Sequence, residues 1–188
     1  MMINHWHPDI FAKAWAFSSR HHHGQTYGGT VEGERVEYIN HIASVAMEVI
    51  WALQANPNAN SALAVQCALL HDTIEDTGAS YEMIVAEFGQ AVADGVLALT
   101  KDDSLPDKEE KMRDSLRRIR QQPHEIWMVK MADRITNLYH PPHYWNNEKI
   151  LAYRDEAQII HHELHTADAG LAQRLQEKID AYPQFLRD

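Results

Sequence analysis

The chain of 188 residues carries 17 Lys and Arg against 27 Asp and Glu, a formal net charge of -10 with its 13 histidines counted as neutral. That length fits one compact unit with a sizeable core, and the negative balance excludes broad electrostatic binding to nucleic acid or to an anionic membrane surface. No apolar run approaches the ~20 residues that cross a bilayer, and the single cysteine, Cys67 in "ALAVQCALL", excludes an intrachain disulfide and reads as a small buried apolar residue.

Taken in chain order, "MMINHWHPDI" has polar residues and a proline where a leader would carry its apolar stretch, which sets the expectation of a soluble, cytoplasmic protein. Helical spacing then predominates, and it predicts helices at 8–22, 39–54, 61–76, 80–87, 89–100, 107–121, 124–139, 147–165 and 167–181. After the first comes "GQTYGGTVEGERVEY", glycine-rich and polar, read as a long loop placed to flank a binding site. In the second, Ile39, Ile42, Val45, Ala46, Val49, Ile50 and Leu53 share one face, with His41 near its start. "NPNAN" separates it from 61–76, which carries "LLHDTIEDT"; "TGAS" then offers Ser80 as the next N-cap. "KEEKMRDSLRRIR" reads as a solvated face of mixed charge. "QQPHE" precedes a second apolar stripe, Ile126, Val129, Ala132, Ile135 and Leu138, with Asp133 inside it. "HPPHYWNN" brings His140 and His143 into a loop, and His161 and His165 form an i, i+4 pair without a third ligand. The fold class is all-α, with residues 1–188 as one domain.

The chemistry concentrates in "LLHDTIEDT". On a helix His71 and Asp72 diverge by about 100° and rise only ~1.5 Å, so both can reach one ion between them, and Glu75 and Asp76 lie a turn beyond. As a solvated face, three crowded carboxylates late in a helix would oppose its dipole, and a cation would compensate them. His41 alone fits a boundary residue as well as a ligand. Asp133 sits among apolar turns, and a buried carboxylate there needs a partner, which a metal supplies.

His41, His71 with Asp72, and Asp133 resemble the metal-binding signature of the HD-domain phosphohydrolases. "HHHGQ", "YINH", "LLHDTIEDT", "EFGQAVADGVLALTK" and "VKMADRITNL" stand in the order and approximate spacing of the alarmone hydrolase domain of the Rel/SpoT family, across residues 10–165, with 166–188 completing or flanking it. The resemblance implies a single HD-domain helical bundle that hydrolyses the 3′-pyrophosphate of ppGpp or pppGpp to GDP or GTP and pyrophosphate. It implies one ion, usually Mn²⁺, on His41, His71, Asp72 and Asp133; two imidazoles and two carboxylates suit a six-coordinate ion of that kind, with Fe²⁺ and Mg²⁺ also compatible. It further implies that Glu75 and Asp76 polarise the attacking water and manage the proton, and that Asn137 meets the nucleotide with Lys130 and Arg134 beside it. Arg134 fits a structural ion pair equally well. The implied partner is a small phosphorylated nucleotide, with no synthetase or regulatory domain matched and no signal for an oligomeric state.

The chain departs from the family before His41. Guanine-specific members place an arginine that stacks on the base shortly after the Gly-Gln pair; here Thr26 and Tyr27 follow Gly24 and Gln25, and the loop to His41 is longer. Tyr27 becomes the candidate stacking residue, and Arg35 a second group that could reach back. His140 stands where a threonine is frequent. Guanosine alarmones, ppApp and the 2′-phosphate of NADPH are open as substrates, beside a noncatalytic nucleotide-binding module.

Overall fold

The computed structural model describes residues 5–187. Its helices are α1 (Pro8–His21), α2 (Ile39–Leu53), α3 (Ser61–Leu70), α4 (Thr73–Asp76), α5 (Tyr81–Phe88), α6 (Gln90–Leu99), α7 (Lys108–Ile119), α8 (His124–Asn137), α9 (Asn147–Leu164) and α10 (Ala169–Ala181), with 3-10 turns at His165–Ala167 and Tyr182–Phe185. The all-α expectation holds, and most boundaries follow local chemistry. Side chains of Asn60, Ser80, Asp107, Asn146 and Asp168 accept hydrogen bonds from the amides of Leu63, Met83, Glu110, Lys149 and Leu171, which satisfies otherwise orphaned donors at five helix starts.

Two local expectations are corrected. The loop before His41 contains a hairpin, β1 (Thr26–Gly28) against β2 (Arg35–Glu37), antiparallel with Tyr27 opposite Val36. Strands this short offer no alternation to read. Its turn depends on Gly29, where a Cβ would collide with the Glu34 carboxylate that accepts from the Thr30 amide at 2.9 Å. The predicted helix 61–76 is also interrupted: α3 stops at Leu70, His71 is its C-cap, and Asp72 (φ -103°, ψ 1°) is the N-cap of α4. The Thr73 hydroxyl donates to the Leu70 carbonyl at 2.7 Å, taking an acceptor that a continuous helix would use for its own ladder.

α3 is the centre of the packing. All its residues except Gln66 are buried, so it is apolar around its whole circumference and is covered by α1, α2, α6 and α8. The buried Cys67 behaves as the inert residue expected, with burial pushing its thiol pKa up. Across from it Gly95 of α6 allows close approach; a Cβ there would sit 2.6 Å from Ile126 Cδ1 and 2.9 Å from Cys67 Sγ. Ile42, Val45 and Val49 of α2 are fully buried, each contributing ~1.5–3 kcal/mol. Trp6, Trp15, Trp127 and Trp145 pack against the core as expected, whereas Trp51 is 47% exposed, with the Arg174 guanidinium over its ring.

α10 is fastened to α2 through a buried acid. Glu48 accepts from the Tyr139 hydroxyl at 2.6 Å and from Arg174 Nε at 2.7 Å, with a second bond from the Arg174 fork. Arg174→Ala strands that carboxylate, and urea unfolding is expected to show a loss of about 2–3 kcal/mol. Combining it with Glu48→Leu should recover part of the loss; a double variant no better than the single one would contradict this account.

Candidate metal centre and its flanking chambers

α2, the end of α3 and α8 lie side by side, and each presents ionisable groups to one point. His41 Nε2, His71 Nε2 and one Asp133 oxygen lie within 4.8 Å of one another. The two nitrogens are 3.3 Å apart, Asp133 Oδ1 is 3.4 Å from His41 Nε2, and Asp72 Oδ2 is 2.9 Å from His71 Nε2 and 3.7 Å from His41 Nε2. All four residues expected as ligands are thus brought together.

Hydrogen-bond bookkeeping fixes which nitrogen faces the centre. Thr136 donates its hydroxyl to the Asp133 carbonyl at 2.9 Å, so toward His41 Nδ1, 3.3 Å away, it can only accept. His71 Nδ1 donates to the Ala68 carbonyl at 2.9 Å. Both rings therefore carry their neutral-state proton on Nδ1 and turn the Nε2 lone pair inward. Two inward lone pairs 3.3 Å apart, with two carboxylates alongside, repel unless a proton or cation stands among them. These donors fit a divalent ion. In its absence a proton takes the role: burial opposes charge on His71, but Asp72 and Asp133 outweigh it and push the imidazole up to about 9. Burial likewise opposes charge on the two aspartates, yet Lys130 and the histidines hold Asp133 well below the usual carboxylate range, and His71 does the same for Asp72.

Around these four groups the structure supplies supports that sequence reasoning missed. The Tyr38 hydroxyl donates to Asp72 Oδ2 at 2.5 Å; "YINH" contained this tyrosine, but nothing in the motif pointed to a partner 34 residues away. Lys130 Nζ donates to Asp133 Oδ2 at 3.0 Å and Asn137 Nδ2 to Oδ1 at 2.6 Å, each about one helical turn from Asp133 on α8. Glu75 receives Lys101 twice, from its amide at 2.8 Å and its ammonium at 2.6 Å. Asp76 is exposed, yet the partial desolvation of its carboxyl, together with the Asp72 charge, raises its pKa. With the helix broken at Asp72, the acids fall in the first turn of α4, so the dipole objection raised for a continuous helix disappears.

Two chambers flank the centre and share Tyr38, Asn137 and Tyr153. The first, about 440 Å³, is bounded by His71, Asp72, Glu75, Asp76 and Asp133 and by six cations, Lys101, Lys108, Lys111, Lys130, Arg134 and Lys149. The second, about 420 Å³, has no lysine or arginine; Tyr27, Tyr38, Tyr139, His140 and Trp145 line it with His41. Tyr27 meets Tyr38 edge-on at 6.1 Å and is 39% exposed. Arg35 and His143 border a separate depression outside the hairpin, away from the centre. Arg134 is buried, 3.4 Å from Glu156 and over the Tyr153 ring at 4.0 Å, so it has the ion pair read as one of its alternatives. His161 and His165 stack on one another and belong to no metal-competent cluster among the described residues.

Because a cation must displace the His71 proton, metal affinity should rise about tenfold per pH unit up to pH 9 and release a proton on binding. The raised pKa also means that the metal-free protein loses the stability this charge confers as pH climbs from 6.5 through about 9. Calorimetric titration with Mn²⁺ in buffers of different ionisation enthalpy, and urea unfolding across the same range, measure both; a pH-independent affinity would refute the assignment of His71 as proton holder.

The HD domain family model matches residues 14–175, reaching beyond the 10–165 span read from the motifs into α10. The guanosine-3′,5′-bis(diphosphate) 3′-pyrophosphohydrolase MESH1 of Danio rerio is 30% identical over 86% of this chain and 87% of its own length. The human protein of that name is 30% identical over 77% of this chain and 79% of its own. A solved structure described as a metazoan ortholog of SpoT that hydrolyzes ppGpp superposes with a TM-score of 0.78 at 26% identity, covering 93% of this chain and 96% of that one. With the motif order, the helical frame and the converging histidines and aspartates all in agreement, the chain belongs to the HD domain family.

Proposed function

We propose that this chain is a metal-dependent hydrolase that removes the 3′-pyrophosphate of ppGpp and pppGpp, yielding GDP or GTP and pyrophosphate. The observation that carries the reading is the position of the four-residue cradle between a cation-lined chamber and an aromatic one, an arrangement that suits a phosphorylated nucleoside lying across it. The curated names of the MESH1 relatives, similar over most of both chains, support the same reaction. Leu171, Leu175 and Ile179 of α10 join the core cluster that holds α2 and α3, which supports one catalytic unit across 1–188 with the C-terminal helices completing it.

In this reading His41, His71, Asp72 and Asp133 hold the ion, and two imidazole nitrogens with two carboxylates favour Mn²⁺. When bound, that ion supplies a Lewis acid that draws charge from the phosphoryl group and acidifies water. The protein's own groups do the rest. Glu75, fixed by Lys101, keeps a second lone pair on each oxygen to orient the water. As water adds to phosphorus it gives up a proton to the Glu75–Asp76 pair, the bond to the ribose 3′-oxygen breaks, and the pair returns a proton to that oxygen. Lys130 and Arg134 offset phosphate charge from the chamber wall, Asn137 bridges the two chambers beside the ribose, and Tyr27 gives the base a stacking face.

Incubating the Mn²⁺-loaded protein with ppGpp, pppGpp, ppApp and NADPH tests the reading: pyrophosphate is expected from the guanosine alarmones. Orthophosphate from NADPH alone would move it to a 2′-phosphatase, and tight nucleotide binding without turnover would leave a binding module. The division of labour is tested by two variants. Asp72→Ala should abolish metal binding, whereas Glu75→Ala should retain the metal by calorimetry and lose 10²-fold or more in kcat, on the order expected for removing a positioned acid-base group. Full activity in Glu75→Ala would overturn that role.

A further inference from the structure

Four of the six cations along the first chamber already have a carboxylate partner. Lys101 pairs with Glu75, Lys111 with Asp103 at 2.8 Å, Lys130 with Asp133 and Arg134 with Glu156. Lys108 and Lys149 have no such partner among the described residues, although both line the same wall. They come from different helices. Lys108 is the first residue of α7 and Lys149 the third of α9, and their side chains meet: contact with Lys108, followed by burial, lowers the Lys149 pKa, only partly countered by Glu156.

Such a pair is unfavourable in two ways at once. Like charges repel at contact. Each ammonium also sits in the first turn of its helix, where the dipole disfavours a cation. The Lys149 stem is held in place, since its ammonium lies 5.2 Å from the Trp145 ring centre, so it is not simply swung out to solvent. A dianion between the two lysines would reverse both effects together, and the adjoining helix N-termini favour it too. The other four cations are engaged with acids that the cradle and its surroundings need.

We propose that Lys108 and Lys149 form the subsite for the outer phosphate of the substrate's pyrophosphate, and so select a diphosphate ester over a monophosphate ester. The proposal rests on the reading of this chain as a pyrophosphohydrolase and adds which groups count the phosphates. With the nucleoside in the aromatic chamber and the inner phosphate at the cradle, the outer phosphate extends into the cation-lined side. The same pair then holds the pyrophosphate product until it leaves.

The test compares wild type, Lys108→Gln/Lys149→Gln and Lys108→Arg/Lys149→Arg, each checked by thermal melting and Mn²⁺ calorimetry. The substrates are ppGpp and guanosine 5′-diphosphate 3′-monophosphate. The ratio of kcat/KM for the diphosphate over the monophosphate ester is expected to fall about ten- to a hundredfold in the glutamine pair and to be largely kept in the arginine pair. Inhibition by inorganic pyrophosphate should weaken in parallel, and Mn²⁺ affinity should not move. An unchanged ratio, or an equal loss for both esters as expected if the lysines met the 5′-phosphates instead, would overturn the proposal. Should wild type turn over neither ester, the functional reading fails separately, and calorimetric binding of inorganic pyrophosphate to wild type and the glutamine pair still decides the subsite: equal affinity in the two refutes it.

Discussion

Two imidazole lone pairs held 3.3 Å apart by the packing of three helices set the terms for everything near them. Neither ring can turn away, because His41 is committed to Thr136 and His71 to the Ala68 carbonyl. The resulting repulsion demands positive charge at one point, and the aspartates on either side increase that demand. Packing energy is the source of this constraint. The apolar faces of α2, α3 and α8 bring the backbones together, and the polar groups carried on them accept an arrangement that they would not adopt in water.

The surrounding charges follow from that centre. Lys130 and Asn137 each occupy one oxygen of Asp133, and Tyr38 occupies one of Asp72, so the carboxylates keep their directions whichever cation stands between them. Outward from these, charge is sorted by chamber, with cations gathered on one side and aromatic rings on the other. A net charge of -10 therefore says little about the local field. Six cations and six carboxylates line the first cavity, so its balance is near neutral where the whole chain is strongly acidic, and that local balance governs a bound anion.

Of the four residues that converge, Asp133 was legible because it broke a pattern: it interrupts an apolar stripe, and a charge in that position must have a partner. The helical frame was legible for the same reason, through apolar spacing and capping residues. What escaped was decided by contacts between distant positions. Lys101 meets Glu75 across 26 residues and Tyr38 meets Asp72 across 34, distances over which no local rule operates. The break after Leu70 turns on one hydroxyl choosing a backbone carbonyl, an option equally open to a threonine in an unbroken helix. "KEEKMRDSLRRIR" presented several cations as equals, and only the fold shows that Lys108 faces the chamber while Arg117 and Arg118 are tied to Asp114.

The hairpin at Thr26–Gly28 and Arg35–Glu37 has a further meaning for how such a protein changes over generations. Its strands bond mainly to each other, its turn is closed internally by Glu34 and Thr30, and its chief tie to the helical frame is to the start of α2. Mutations in its turn, residues 29–34, can reshape one wall of the aromatic chamber, whereas changes at Tyr27 reach Asp72 through the Tyr38 ring. On the proposal that Tyr27 faces the base, the wall that meets the nucleoside and the four converging residues lie on separate stretches of chain, so one can be altered while the other is kept.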